Sequence, residues 1–116
     1  MQKIEKWRIQ ELSLIFRKIS DLLIKGGNPE WANVFSHFQQ ESQKIISKKE
    51  FDEDLLHKLI INTKNCFSRE HTFIHMELWH EDPKTKVSIN QEFLLTRARL
   101  LKIITDINNK MIELVS

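Results

Sequence analysis

The stretch "REHTFIHMELWHED", residues 69 to 82, gathers three of the chain's five histidines and four acids into fourteen positions. Histidine and carboxylate side chains are ligands for zinc and proton carriers for general acid–base catalysis. His71 and His75 stand four apart. On a helix they share a face and can reach one metal ion, with Glu77 or His80 as a third ligand. On a strand they would lie about 13 Å apart, too far for one ion. The run does not match the HExxH pattern, and no second ligand pair stands elsewhere at a recognisable spacing. No metal or cofactor is therefore expected, and a small metal-dependent enzyme using the 71–80 histidines is kept as the alternative. Cys66 is the one cysteine, set between Asn65 and Phe67, where a buried small apolar side chain is the usual outcome. A Cys–His pair with His71 or His75 is the remaining nucleophilic arrangement. No glycine-rich loop exists to cradle a phosphate, because the two glycines sit together in "KGG". No catalytic residue is assigned.

The acids point to a binding surface instead. Residues 50–86 hold eight acids and five bases, net −3, whereas residues 1–49 are net +4 and residues 87–116 net +1. Glu50, Asp52, Glu53 and Asp54 cluster where a helix should begin, and acids suit that positive helix end. Glu70, Glu77, Glu81 and Asp82 have no such direct structural reason. A local patch of one sign steers a partner of the other, and an aromatic residue beside it makes an anchor. The candidate partner-binding residues are accordingly Asp52, Glu53, Glu70, Glu77, Trp79, Glu81 and Asp82; Trp79 could equally complete the core. The basic excess is modest and spread along amphipathic helices, so nucleic acid is not the expected partner.

Four helices are expected to position this stretch. Over residues 3–25, Ile4, Trp7, Leu12, Ile15, Ile19, Leu22 and Leu23 recur at helical steps, and "KGG" closes the helix. "NPEW" opens the second, with Asn28 as cap and Pro29 in the first helical position. Trp31, Val34, Phe35, Phe38 and Ile45 form its apolar stripe. The third starts near Asp52, with Leu55, Leu56, Leu59 and Ile60 inward. Residues 66–87 are less regular, a short strand or extended loop competing with a helical turn, and "EDPKTK" reads as a turn. Ser88, with Gln91 three residues on, matches a capping box for the last helix. Its expected core side is Phe93, Leu94, Ala98, Leu101, Ile104, Ile107, Met111 and Val115. Arg8 and Arg97 fall within apolar stripes, where a buried arginine requires a carboxylate or marks a partner surface.

With 116 residues, 41% apolar and 29% charged, the chain is expected to be one domain over 1–116. Two glycines and two prolines are few for an all-β fold, which spends them on turns. The fold class expected is all-α: a mainly four-helix, bundle-like domain with an irregular segment before the last helix. A single cysteine, no signal-peptide pattern and no membrane-length apolar run point to a protein that stays in the cytoplasm, with no membrane partner.

Across residues 22–104 the order "LLIKGGNPEWANVF", "LLHKLIINTKNCF", "SREHTFIHMELW", "INQEFLLTRARLLKI" resembles a family of short helical bacterial proteins, immunity proteins of polymorphic toxin and contact-dependent growth inhibition systems. The resemblance implies a cytoplasmic protein without chemistry of its own, which binds a cognate toxin and occludes its active site. For a nuclease toxin, the acids of 50–54 and 70–82 would mimic phosphate charge. A helical adaptor for another partner is the second alternative.

Overall fold

The computed structural model describes residues 4–68 and 72–115. It is all-α: α1 (Lys6–Lys25), α2 (Pro29–Ser47), α3 (Glu53–Asn65), a 3-10 turn (Thr72–His75) and α4 (Pro83–Val115), with no strand among the described residues. Three helices begin on the same chemistry. The Asn28 side chain accepts from the Trp31 N–H at 3.2 Å, and Pro29 follows in the first turn. The Asp52 side chain accepts from the Leu55 N–H at 3.0 Å. Asp82 accepts from the Thr85 N–H at 3.1 Å and from its hydroxyl. Each cap satisfies an N–H that the helix itself leaves without a partner. The chain leaves α1 through Gly27, whose φ of 76° is the left-handed conformation that closes helices.

The last of these caps corrects the expected start of α4. The helix begins at Pro83, so "EDPKTK" is not a turn, and Ser88 and Gln91 are exposed positions inside α4. Proline lacks an N–H that the first helical residue does not use, and Asp82–Pro83 repeats the Asn28–Pro29 signal. α4 runs for 33 residues. At about 1.5 Å per residue that is roughly 50 Å, which matches the 51 Å long dimension of the molecule. α1 lies along α2 and α4, and α3 packs between α2 and α4 on the other side, giving the order α1, α2, α3, α4 around the bundle.

Phenylalanines fill its centre. Phe16, Phe35, Phe73 and Phe93 are fully buried. Phe73, from the 3-10 turn, sits in the middle of the group, with ring centroids 4.8 Å from Phe35, 5.4 Å from Trp31 and Phe67, and 5.7 Å from Phe93. Buried hydroxyls are bonded within the bundle: Ser20 donates to the Ala32 carbonyl at 3.0 Å, tying α1 to α2.

Several residues expected inside are exposed, and Trp31 and Leu55 are partly buried against the core. Trp7 is 53% exposed, its ring covered on one side by the Arg8 guanidinium at 4.5 Å, and Arg8 pairs with Glu5 at 2.7 Å. Val34 lies at the edge of the α2 stripe and Leu55 at the edge of the α3 stripe. Trp31 is half-buried. On α4, Leu94, Ala98 and Leu101 face away from the bundle. The core seam is Ile89, Phe93, Thr96, Leu100, Ile103 and Ile107. The Val115 side chain lies outside the described residues. α4 carries two apolar stripes, and the expectation mixed them.

Phe73 joins the 3-10 turn to α2, α4 and the segment after α3, so Phe73→Ala should cost about 3–5 kcal/mol, the range for a buried aromatic. Urea unfolding followed at 222 nm checks this; a loss under about 1 kcal/mol would mean that the turn does not hold the core.

Candidate functional site

Residues 72–82, most of the histidine-rich stretch, form a strap across one end of the bundle. Four side or main chains fix it. The Asn90 amide of α4 makes a paired contact with the main chain of Leu78: the Leu78 N–H donates to Asn90 Oδ1 at 2.7 Å, and Asn90 Nδ2 donates to the Leu78 carbonyl at 2.8 Å. A second Asn90 hydrogen goes to the Lys86 carbonyl at 2.9 Å. One amide thus does for Leu78 what a neighbouring strand would do, and an unpaired backbone group there would be costly. On the opposite side Gly26 leaves no room: a Cβ on it would lie 2.7 Å from Leu78 Cβ, and its carbonyl accepts from the Trp79 N–H at 3.2 Å. Asn28, besides capping α2, directs its amide at Met76 Sδ, 3.4 Å away.

Arg97 is the fourth support; of the two expectations for it, a carboxylate partner or a partner surface, the first is not met, for it bonds main-chain carbonyls. Its Nη1 donates to the carbonyls of Phe73 at 2.7 Å and Met76 at 3.4 Å, and its guanidinium lies 4.4 Å from the centre of the Phe93 ring. Among the described residues it pairs with no acid. Burial pushes its pKa below the ordinary arginine value, yet arginine stays charged at any working pH. The Phe73 carbonyl also accepts from the Met76 N–H at 3.4 Å, and a carbonyl has a second lone pair for the cation.

Held this way, the strap sorts its side chains. Phe73 and Leu78 are buried, while Glu77, Trp79, Glu81 and Asp82 are exposed. Trp79 stands 63% open. The core does not take this tryptophan, because its neighbour Leu78 takes the inward position and adjacent residues of a non-helical strap cannot share one direction. Glu77 lies 3.5 Å from Lys86 across a cleft of about 530 Å³ floored by Val87, Gln91 and Leu94. Asp82 spends its carboxylate on the α4 cap, and Glu81 makes no ion pair among the described residues.

The other acids do not join this surface. Asp52 caps α3 and pairs with Lys48. Glu53 and Asp54 line a separate groove of about 270 Å³ with His57, against Asn108, Met111 and Ile112. From Val87 to Met111 is 24 residues of α4, so the two acidic regions are roughly 36 Å apart along the helix. Glu70 and His71 lie outside the described residues. His75 is exposed at the end of the 3-10 turn, and His80 Nδ1 accepts from the Asp82 N–H at 3.0 Å. Among the described residues no three His, Cys, Asp or Glu side chains are grouped to hold a metal ion. Cys66 is buried; its thiol lies 3.6 Å from the Asn62 carbonyl, and desolvation pushes its pKa up to about 11. A thiol that stays protonated at neutral pH is no ready nucleophile. Asn90, Gly26 and Arg97 were not among the expected site residues; each acts on a segment distant in sequence, and only Arg97, a charge in an apolar stripe, gave a sign.

Asn90→Ala should destabilise the protein by about 1–3 kcal/mol for each Leu78 backbone group it leaves buried without a partner. Hydrogen exchange should show the Leu78 amide unprotected while α1 and α2 amides stay slow; equal protection in the variant would show that Asn90 does not hold the strap.

The caps also set an acid limit. Asp52 is held below the ordinary aspartate value by the Lys48 bond and the Leu55 N–H, and Asp82 by the Thr85 hydroxyl and N–H. A carboxylate depressed in the folded state contributes stability above its unfolded pKa, and the contribution is lost as pH falls through the folded value. Stability should therefore decline below about pH 4, the unfolded aspartate value. The double variant Asp52→Asn, Asp82→Asn keeps both cap acceptors without titrating, so urea midpoints at pH 7 and about pH 3 should differ less for it than for the native chain.

No protein-family model, curated protein or solved structure matches this chain.

Proposed function

We propose that this protein is an immunity protein, which binds a cognate bacterial toxin domain and occludes its active site, and that the strap end of the bundle is the surface it uses. The observation that carries the reading is Trp79. A tryptophan 63% open to solvent, on a main chain fixed by Asn90 and Gly26, is a pre-ordered anchor. Large rigid side chains of this kind dominate binding energy at interfaces, because little conformational freedom is lost when they are covered. Glu77 and Glu81 flank it and would meet a basic surface, such as the substrate groove of a nuclease. Asp82 supports the same end as the α4 cap. Asp52 and Glu53, some 36 Å away along α4, belong to a second region and would reach only a toxin that spans the length of the helix.

The reading needs no chemistry from this chain. The cytoplasm, where a toxin would act, is the compartment it implies. Among the described residues no helix is long and apolar enough to cross a membrane.

Co-purification with the product of the adjacent toxin gene tests the function, and two variants test the surface. Trp79→Ala should raise the dissociation constant roughly 30-fold or more, the equivalent of a 2 kcal/mol anchor. Glu77→Lys with Glu81→Lys should slow association, most visibly at low salt. Unaltered affinity and rates in both, with circular dichroism unchanged, would remove the strap end from the interface.

A further inference from the structure

The exposed side of α4 has a pattern that runs well beyond the strap, which borders it only at the cleft of Glu77, Val87, Gln91 and Leu94. Val87, Gln91, Leu94, Ala98, Leu101, Thr105, Asn108 and Ile112 follow one another at alternating steps of four and three. Such a 3.5-residue repeat is the seam of a two-helix coiled coil. The seam is offset by two residues from the buried one at Ile89, Phe93, Thr96 and Leu100, which turns it by about 200° to the far side of the helix. Its large members are open: Val87 58%, Leu94 61%, Leu101 43% and Ile112 55%, with Leu95 beside them at 71%.

We infer that this seam pairs with the same seam of a second copy, the two α4 helices running antiparallel about a two-fold axis through Ala98. Three features select that occupant. The first is register. A two-fold interface must be self-complementary, and about Ala98 the seam is so to within one residue: Gln91 falls against Thr105 of the second copy, Ala98 against itself, and Leu94 about 1.5 Å along the axis from Leu101. A small side chain at the crossing lets the helices come close. The second is area. At these fractions each apolar side chain exposes on the order of 100 Å², a patch of roughly 500 Å², at the upper end for ordinary monomers. With the polar rim of a 50 Å helix, about 800 Å² per partner is within reach, the size of a standard stable interface.

The third is charge. Lys84, at the N-terminal end of the seam, makes no ion pair among the described residues; nor do Glu53 and Asp54, which border Ile112 at its C-terminal end. Antiparallel pairing places Lys84 beside Ile112 of the second copy, within range of those acids, whereas parallel pairing sets like charges together. The helix dipoles also favour the antiparallel arrangement. The two straps then lie at opposite extremes of the dimer, with Glu77 at the edge of the seam through the cleft that Val87, Gln91 and Leu94 floor; pairing is read on the chain alone, so the inference does not depend on what the strap binds.

The test is sedimentation equilibrium of the full chain from about 1 to 200 µM, an interface of this size having affinities of micromolar or better. A dimer is expected. Leu94→Glu with Leu101→Glu should return it to monomer with unchanged circular dichroism, both side chains being outside the core. Lys84→Glu should weaken it several-fold. Ala98→Cys gives an independent reading of register: mild oxidation should join two chains through residue 98, while a Lys25→Cys control should not cross-link. Native Cys66 is buried and does not interfere. A monomer at the highest concentration would overturn the inference and leave the seam to a different protein. So would a dimer that survives the double glutamate variant, or an Ala98→Cys chain that cross-links no faster than the control.

Discussion

The contact between Asn90 and the Leu78 main chain decides what the rest of this protein can present. A helical bundle has no edge strand on which an extended segment could pair, so residues 76–80 would otherwise carry N–H and C=O groups into a partly buried position without partners. Asn90 supplies one donor and one acceptor in the plane that a strand would offer, at 2.7 and 2.8 Å. An aspartate has the acceptors without the donor, and a leucine has neither. Once Leu78 is paired, its side chain can be buried against Gly26, and the Gly26 carbonyl is close enough to receive the next N–H along. Phe73 and Arg97 hold the preceding turn in the same way, one by packing and the other by bonding its carbonyls.

Trp79 is outside because Leu78 is inside. That order of cause matters for function, since a tryptophan on a loosely held loop would surrender much of its contact energy in becoming fixed. Here the backbone on both sides is anchored, by Asn90 at residue 78 and by the Asp82 cap three residues beyond Trp79. The acids around it act locally. The chain carries a net +2, so a partner would be guided by the strap end and not by the overall field.

Much of this was legible in the sequence where the signal was local. Asn28 before Pro29, Asp52 before a run of acids and leucines, and the paired glycines each name a helix end by chemistry that works within four residues. Asp82 before Pro83 carries the same signal, but a proline between charged residues also suits a turn. The face of α4 failed for a different reason. A helix with apolar residues on both sides has no single stripe, and a period of 3.6 cannot say which of two stripes meets the core. Asn90 and Gly26 could not be found at all, for their roles exist only when residues 12 and 52 positions away are brought against them at Leu78.

The two stripes of α4 also explain why so long a helix is tolerated. A 33-residue helix is nearly three times the usual length, and its packing on α1 and α3 uses one side only. Helical propensity adds little per residue; stability comes from covering apolar surface. Leucines at 94, 95 and 101 left open on the far side do nothing for a monomer, and large exposed patches favour aggregation. They become useful when covered. The bundle therefore sets two surfaces along one element: near its N-terminus α4 supplies Asn90 and the Asp82–Pro83 start that fix the strap, and along its outer side it offers a seam of exposed apolar side chains that the strap borders only at Glu77.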